Sequence, residues 1–185
     1  VRQLREKHLG PDDPETADAL FNLSLLYGAQ RRYDECDRVG REAMAIRAKV
    51  FGHESKEVAA SLQYLAQYKN ESGDYAGAEP LYRRSLELRE KLLGPDHFEV
   101  GNSHNNLGLL YLNTNRLDEA STHFEKAVAI LTKALGEAHP NTSMASTNLA
   151  SIYLHRQQFA EALPLLERTL ALTEQEKGGE QPDLR

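Results

Sequence analysis

The sequence predicts an all-α chain, a solenoid of stacked antiparallel helical hairpins. The main reason is a gapless period of 42 residues. Leu9-Gly10, Phe51-Gly52, Leu93-Gly94 and Leu135-Gly136 fall at that spacing, as do Leu23, Leu65, Leu107 and Leu149, and Tyr33, Tyr75, Leu117 and Phe159. A fixed period of this size marks one supersecondary unit stacked on copies of itself. Within each period, apolar residues recur at three- and four-residue steps, the spacing of a helical face. Polar and Gly/Pro breaks interrupt that pattern where a hairpin needs them.

Residues 1–9 read as the end of the second helix of a preceding repeat, because Leu4 lies 42 residues before Ile46 and 84 before Leu88. Four repeats follow, at 10–51, 52–93, 94–135 and 136–177. Residues 178–185 read as a connector toward a further repeat, with Gly178 in the glycine column and Pro182 lying 42 after Pro140. The phase at both ends predicts a stretch of a longer array. First helices are expected at 14–30, 56–72, 98–114 and 140–156, and second helices at 33–50, 75–92, 117–134 and 159–176.

In the first repeat, Gly40 stands in the column of Tyr82, Phe124 and Leu166, which predicts underpacking there. In the second, Lys69 replaces the tyrosine of Tyr27, Tyr111 and Tyr153, with its stem packed and its ammonium reaching water. Pro80 sits inside the second helix and predicts a local kink. The third repeat is the clearest. Val100, Leu107, Leu110 and Tyr111 form one apolar face, and Asn113-Thr114-Asn115-Arg116 is a polar break. Leu117, Ala120, Phe124, Ala127, Val128 and Leu131 form a second amphipathic helix, with small Ala120 and Ala127 where helices approach closely. Gly136 then supplies a left-handed helix end, and Pro140 suits the first turn of the next helix. In the fourth repeat Pro164 predicts a second kink.

The third copy, Leu107-Gly108-x-x-Tyr111, Ala120-x-x-x-Phe124 and Ala127, resembles the tetratricopeptide repeat signature, with His104 where the family usually carries tryptophan. The usual family period is 34 residues, so eight are extra here. They lengthen the second helix and add the connector Leu93-Gly94-Pro95-Asp96-His97-Phe98. With Ala78-Glu79-Pro80-Leu81-Tyr82-Arg83-Arg84-Ser85-Leu86, this is similar to the 42-residue subclass of kinesin light chains. The resemblance implies a right-handed superhelix, first helices on an inner concave face, and prolines tolerated at 80 and 164.

Composition limits the function classes. The 185-residue chain is 40% hydrophobic and 27% charged, as expected of a soluble folded protein. Its net charge of -6 argues against a phosphate-backbone partner, so no nucleic acid is expected. Its apolar runs fall far short of the roughly 20 residues of a membrane span, so no membrane insertion is expected. Cys36 is the single cysteine, which excludes an intrachain disulfide and fits a reducing, cytoplasmic compartment. It aligns with Ala78, Ala120 and Ala162, the pattern of a small buried residue rather than a reactive thiol.

No P-loop, dinucleotide fingerprint, nucleophile elbow or HExxH motif occurs. The seven histidines are spread over different elements without ligand spacing, so no metal and no cofactor are expected; His97 and His139 share a connector column and suit bonds to nearby backbone. The acidic pairs Asp34-Glu35 and Asp118-Glu119 open second helices, where they complement the helix dipole. The chain is read as not an enzyme. Asn22-Leu-Ser24, Asn70-Glu-Ser72 and Asn141-Thr-Ser143 match glycosylation sequons but fall on predicted helices.

The first-helix windows hold 8 charged residues in 68, against 25 in 72 for the second helices; Asn and Gln reverse this, 11 against one. Asparagine is a mediocre helix former, so its concentration within helices needs another reason. Carboxamides suit the backbone of a bound peptide, and they equally suit bracing between helices. The groove candidates are Phe21, Asn22, Leu25, Gln63, Tyr64, Gln67, Asn102, Asn105, Asn106, Leu109, Asn113, Asn148 and Ser151. The carboxylate clamp that family members use on chaperone termini needs Lys or Arg in the three inner columns, and none is present. Lys56, Lys69 and Arg156 are the basic residues of the first-helix windows, which gives tryptophan-acidic peptides little support.

The leading reading is a noncatalytic scaffold that binds a protein or peptide segment in the groove of the first helices, the fragment itself being monomeric. One alternative is a sensor arm of a larger multidomain signalling enzyme or NTPase. The other is an architectural array that self-associates.

Overall fold

The computed structural model describes residues 12–179, and among these it contains eight helices and no strand. They are α1 (Pro14–Ala29), α2 (Tyr33–Phe51), α3 (Lys56–Ser72), α4 (Tyr75–Leu93), α5 (Phe98–Asn113), α6 (Leu117–Leu135), α7 (Pro140–His155) and α8 (Phe159–Gly179). The preceding helix end expected over 1–9 lies outside the described residues. α8 runs through Gly178 and Gly179, and the rest of the connector expected over 178–185 also lies outside them. The fold is an all-α helical repeat. It divides into two compact units, Val1–Pro95 and Asp96–Arg185. In the first, α1 packs on α2, α2 on α3 and α3 on α4; in the second, α5 packs on α6, α6 on α7 and α7 on α8.

Each first helix starts on a residue of one 42-residue column. Asp13 accepts from the Glu15 amide at 2.8 Å and Ser55 Oγ from the Val58 amide at 3.3 Å. His97 and His139 accept through Nδ1 from the amides of Glu99 and Asn141, at 3.2 and 3.1 Å, so these histidines bond nearby backbone as expected. The hairpin turns also repeat. Arg31, Asn115 and Gln157 have φ of 57°, 59° and 60°, and Gly73 takes the same place at 87°. The amides of Arg32, Arg116 and Gln158 reach back to the carbonyls of Tyr27, Tyr111 and Tyr153 at 2.8–2.9 Å, closing the last turn of each first helix.

The second helices end differently from the expectation. Gly136 has φ 86° and ψ 166°, and Gly52 and Gly94 match it at ψ 155° and 158°. This is the extended positive-φ region open in practice to glycine alone, not the left-handed helical region. Gly136→Ala is therefore expected to cost about 1–3 kcal/mol, and Gly136→Asn, which relieves a left-handed helical position, should not recover it. Urea unfolding of the two variants checks this.

Buried side chains form seams between neighbouring helices: Ala17, Leu20, Val39, Ala43 and Ile46 in the first hairpin, and Ala48, Val58, Ala59, Leu62 and Leu88 farther along the first unit. The predicted gap at Gly40 is not found. Leu65 of the next hairpin fills it, and a Cβ on Gly40 would lie 2.7 Å from Leu65 Cδ2. Leu23 has no described hairpin before it to receive it and is 36% exposed, whereas Leu65, Leu107 and Leu149 are buried. Tyr68 lies against Gly28 in the same way, with its ring carbons as near as 2.0 Å to a Cβ added there. Pro80 and Pro164 are exposed and their helices continue through them, so the carbonyl that each leaves unpaired has water within reach.

Candidate functional site

In the first unit the predicted site residues come from α1 and α3. Phe21 and Tyr64 meet edge to face with centroids 5.1 Å apart. Asn22 and Gln67 are exposed, with Gln67 bonded to Glu71 at 2.9 Å; Leu25 is half-buried. Gln63 is buried, and its oxygen accepts from Arg89 Nη1 at 3.3 Å. Beneath Phe21 lies a cation that the sequence reading missed. The Arg47 guanidinium stacks 4.0 Å from the ring centroid and donates to Asp18 at 2.8 Å and Ser61 at 2.9 Å. A census of basic residues in the first helices overlooks it because α2 supplies it. The signal was present in the column Arg47, Arg89, Leu131, where charged residues stand in line with a leucine that is fully buried. Arg47 is itself only 7% exposed and already paired, so it does not supply the open cation of a carboxylate clamp.

In the second unit the site residues come from α5 and α7, and the structure divides them into two kinds. Asn105 is buried and accepts from Asn148 Nδ2 at 2.9 Å; Asn102 accepts from Asn141 Nδ2 at 3.2 Å. These pairs cross from α5 to α7 and brace the two first helices. Asn106 and Leu109 are half-buried, while Asn113 and Ser151 are exposed, and Ser151 caps the Asn148 carbonyl at 2.6 Å. Asn105→Ala would leave the half-buried Asn148 amide without its acceptor and open a void at a buried position. A loss of about 1–3 kcal/mol is expected, against about 0.5 kcal/mol or less for Asn106→Ala. Thermal melts of the two single variants measure the difference.

His104, at the family's tryptophan position, is buried in α5 with its Nδ1 2.9 Å from Nδ1 of His123 on α6. Burial, followed by the neighbouring His123 and Lys126, pulls its pKa down from 6.5 to about 4. Between those values the unfolded chain binds a proton that the folded chain does not. The stabilisation is therefore complete above pH 6.5 and is lost as pH falls toward 4. His104→Leu, the residue of Leu20 and Leu62 in the same column, should lose less stability on acidification. The difference from wild type should be about 2 kcal/mol by pH 4.5 once solvent screening is allowed for. Parallel slopes for the two proteins in melts from pH 7 to 4.5 would contradict this.

Two features bear on other chemistries. No group of three or more His, Cys, Asp or Glu side chains gathers around a possible metal position among the described residues. No helix among them is long and apolar enough to cross a membrane.

A tetratricopeptide repeat family model matches residues 25–91, 58–133 and 99–175. The chain is similar in structure to BtubC (BKLC) from P. vanneervenii, with 27% identity and a TM-score of 0.84 over 98% of this chain and 72% of that one. A kinesin light chain-like protein with nearly identical TPR-like repeats from Podosopora anserina aligns at 26% identity and a TM-score of 0.76, over 97% of this chain and 84% of that one. A Rap protein complexed with competence and sporulation factor shares the fold at 17% identity and a TM-score of 0.74, over 87% of this chain and 43% of its own. No match is found among curated protein sequences.

Proposed function

Because this chain belongs to the tetratricopeptide repeat family, and is of the kinesin-light-chain-like type, we propose that it is a noncatalytic, cytoplasmic adaptor that binds a segment of a partner protein on its first helices. The observation that carries this reading is the division of labour among the first-helix amides. Asn102, Asn105, Asn141 and Asn148 are tied to one another, so the helices they bridge are held in place before any partner arrives. Asn22 keeps its carboxamide available in the first unit, which also offers Leu25 and Tyr64, and Asn106 keeps its own in the second, which offers Leu109. Available amides with apolar neighbours, carried on helices that are already braced, hold peptide main chain and a few side chains at low ordering cost. In this reading Gln63 supports the face of the first unit, formed by Phe21, Asn22, Leu25, Tyr64 and Gln67, while Asn105 and Asn148 support that of the second, formed by Asn102, Asn106, Leu109, Asn113 and Ser151.

Peptides selected on the full chain from a random display library should lose about tenfold in affinity for Asn22→Ala/Asn106→Ala, with the melting temperature unchanged. Unchanged affinity for every selected peptide would refute the assignment of these residues.

A further inference from the structure

The second unit contains a crevice of about 90 Å³ where α6, α7 and α8 meet, lined by Val128, Thr132, Ser143, Ser146, Leu165 and Leu172 among others. The internal repeat explains why it is open. The residues 84 positions earlier form a closed apolar cluster between α2, α3 and α4. Ala48, Val58, Ala59 and Leu62 of that cluster are replaced by Thr132, Thr142, Ser143 and Ser146. Met44, Leu81 and Leu88 are replaced by Val128, Leu165 and Leu172, so the remaining walls stay apolar. The largest loss is at Ser146. Its column holds Leu20, Leu62 and His104 in the other hairpins, all buried, and serine stops short of the space they fill.

Four hydroxyls have thus entered a seam that is dry in the first unit. Thr142 donates to the Gly136 carbonyl at 2.8 Å, which accounts for one of them. The hydroxyls of Thr132, Ser143 and Ser146 have no hydrogen-bond partner among the described residues, and all three residues are half-buried, within reach of an incoming group. The exposed Arg168–Glu137 ion pair stands at the rim. The space suits about three waters or one side chain, and it is too small for a cofactor-sized ligand.

We propose that this crevice is a docking point for a histidine side chain of a partner protein. The column itself gives the size and the polarity, since His104 is the polar residue that fills it one repeat earlier. The hydroxyl lining selects imidazole over leucine. A neutral ring lays its carbon edge against Val128, Leu165 and Leu172. Its two nitrogens, one donor and one acceptor, are matched by the Ser143 and Ser146 hydroxyls, each of which can do either. An aliphatic side chain of that size would cover the hydroxyls and leave them unpaired. The crevice shares no residue with the first-helix faces, so the two sites stand or fall separately.

The probe is the capped pentapeptide Ala-Ala-His-Ala-Ala, titrated into the full chain and followed by amide NMR. The expected result is shifts centred on Ser143, Ser146 and Thr169, with affinity about fivefold weaker when the peptide's histidine is replaced by leucine. Ser146→Leu, which restores the residue of Leu62, should abolish those shifts while melting no lower than wild type. Ser143→Ala, which restores the residue of Ala59, should weaken binding about fivefold with the melt unchanged. The proposal is overturned if no shifts appear at these residues at millimolar peptide, which would mean a crevice that holds water alone. It is equally overturned if the leucine peptide binds as tightly, or if both variants bind the histidine peptide like wild type.

Discussion

Phe124→Ala is expected to lower the stability of the chain by about 3–5 kcal/mol, the range for removing a fully buried aromatic ring. Phe124 is 0% exposed and its ring lies over Gly108, where an added Cβ would stand 2.5 Å from Phe124 Cε1. That contact gives the glycine of the Leu107-Gly108-x-x-Tyr111 signature a physical reason. Gly108→Ala alone should therefore cost about 1–3 kcal/mol through overpacking. The repeat also contains a relief for that clash. Ala150 and Leu166 stand in the same two columns as Gly108 and Phe124, so the fourth repeat pairs alanine with leucine. The second pairs Ala66 with the buried ring of Tyr82, which shows that an aromatic can also be accommodated beside alanine. Gly108→Ala/Phe124→Leu should cost less than the sum of its single variants. Strict additivity in urea unfolding would mean that the two columns do not share one packing site.

Asp18→Ala should cost about 3 kcal/mol, whereas Arg47→Leu should cost about 1 kcal/mol or less, although both remove the same ion pair. The difference comes from what each change leaves behind. Without Asp18, a guanidinium that is 7% exposed loses its counter-charge and keeps only neutral partners, Ser61, the Glu57 carbonyl and the Phe21 face. Without Arg47, the Asp18 side chain, 65% exposed, is hydrated, and Ser61 retains its bond to the Glu57 carbonyl at 2.9 Å. The leucine also has a precedent in the chain, since Leu131 fills that column in the third repeat. Chemical denaturation of both variants, which should differ in midpoint by the larger part of the Asp18 cost, checks the order.

Much of this architecture was legible in the sequence because a repeat tests itself. The column of Asp13, Ser55, His97 and His139 marks each helix start although three residue types fill it, since each offers an acceptor to a free amide. Other features were hidden because they depend on contacts between neighbouring hairpins. Gly40 read as a void because its own column lost a ring, yet Leu65 from the following hairpin fills the space. The ψ of Gly136 could not be read from its identity, since glycine serves both positive-φ regions. Asn105 and Asn106 are adjacent and identical, and only the helical rotation of about 100° between them decides which one braces α7 and which one remains half-buried at the surface. Arg47 is not legible in the first helices because a second helix supplies it to the Phe21 face.

The claim that matters most is that the first helices carry the binding surface. It is tested most directly by amide NMR of the full chain with a peptide selected on it from a display library. The expected result is shifts concentrated on α1, α3, α5 and α7, around Asn22, Tyr64, Asn106 and Leu109. Shifts confined to the charged outer positions of the second helices, such as Arg83, Arg84 and Lys126, would contradict it.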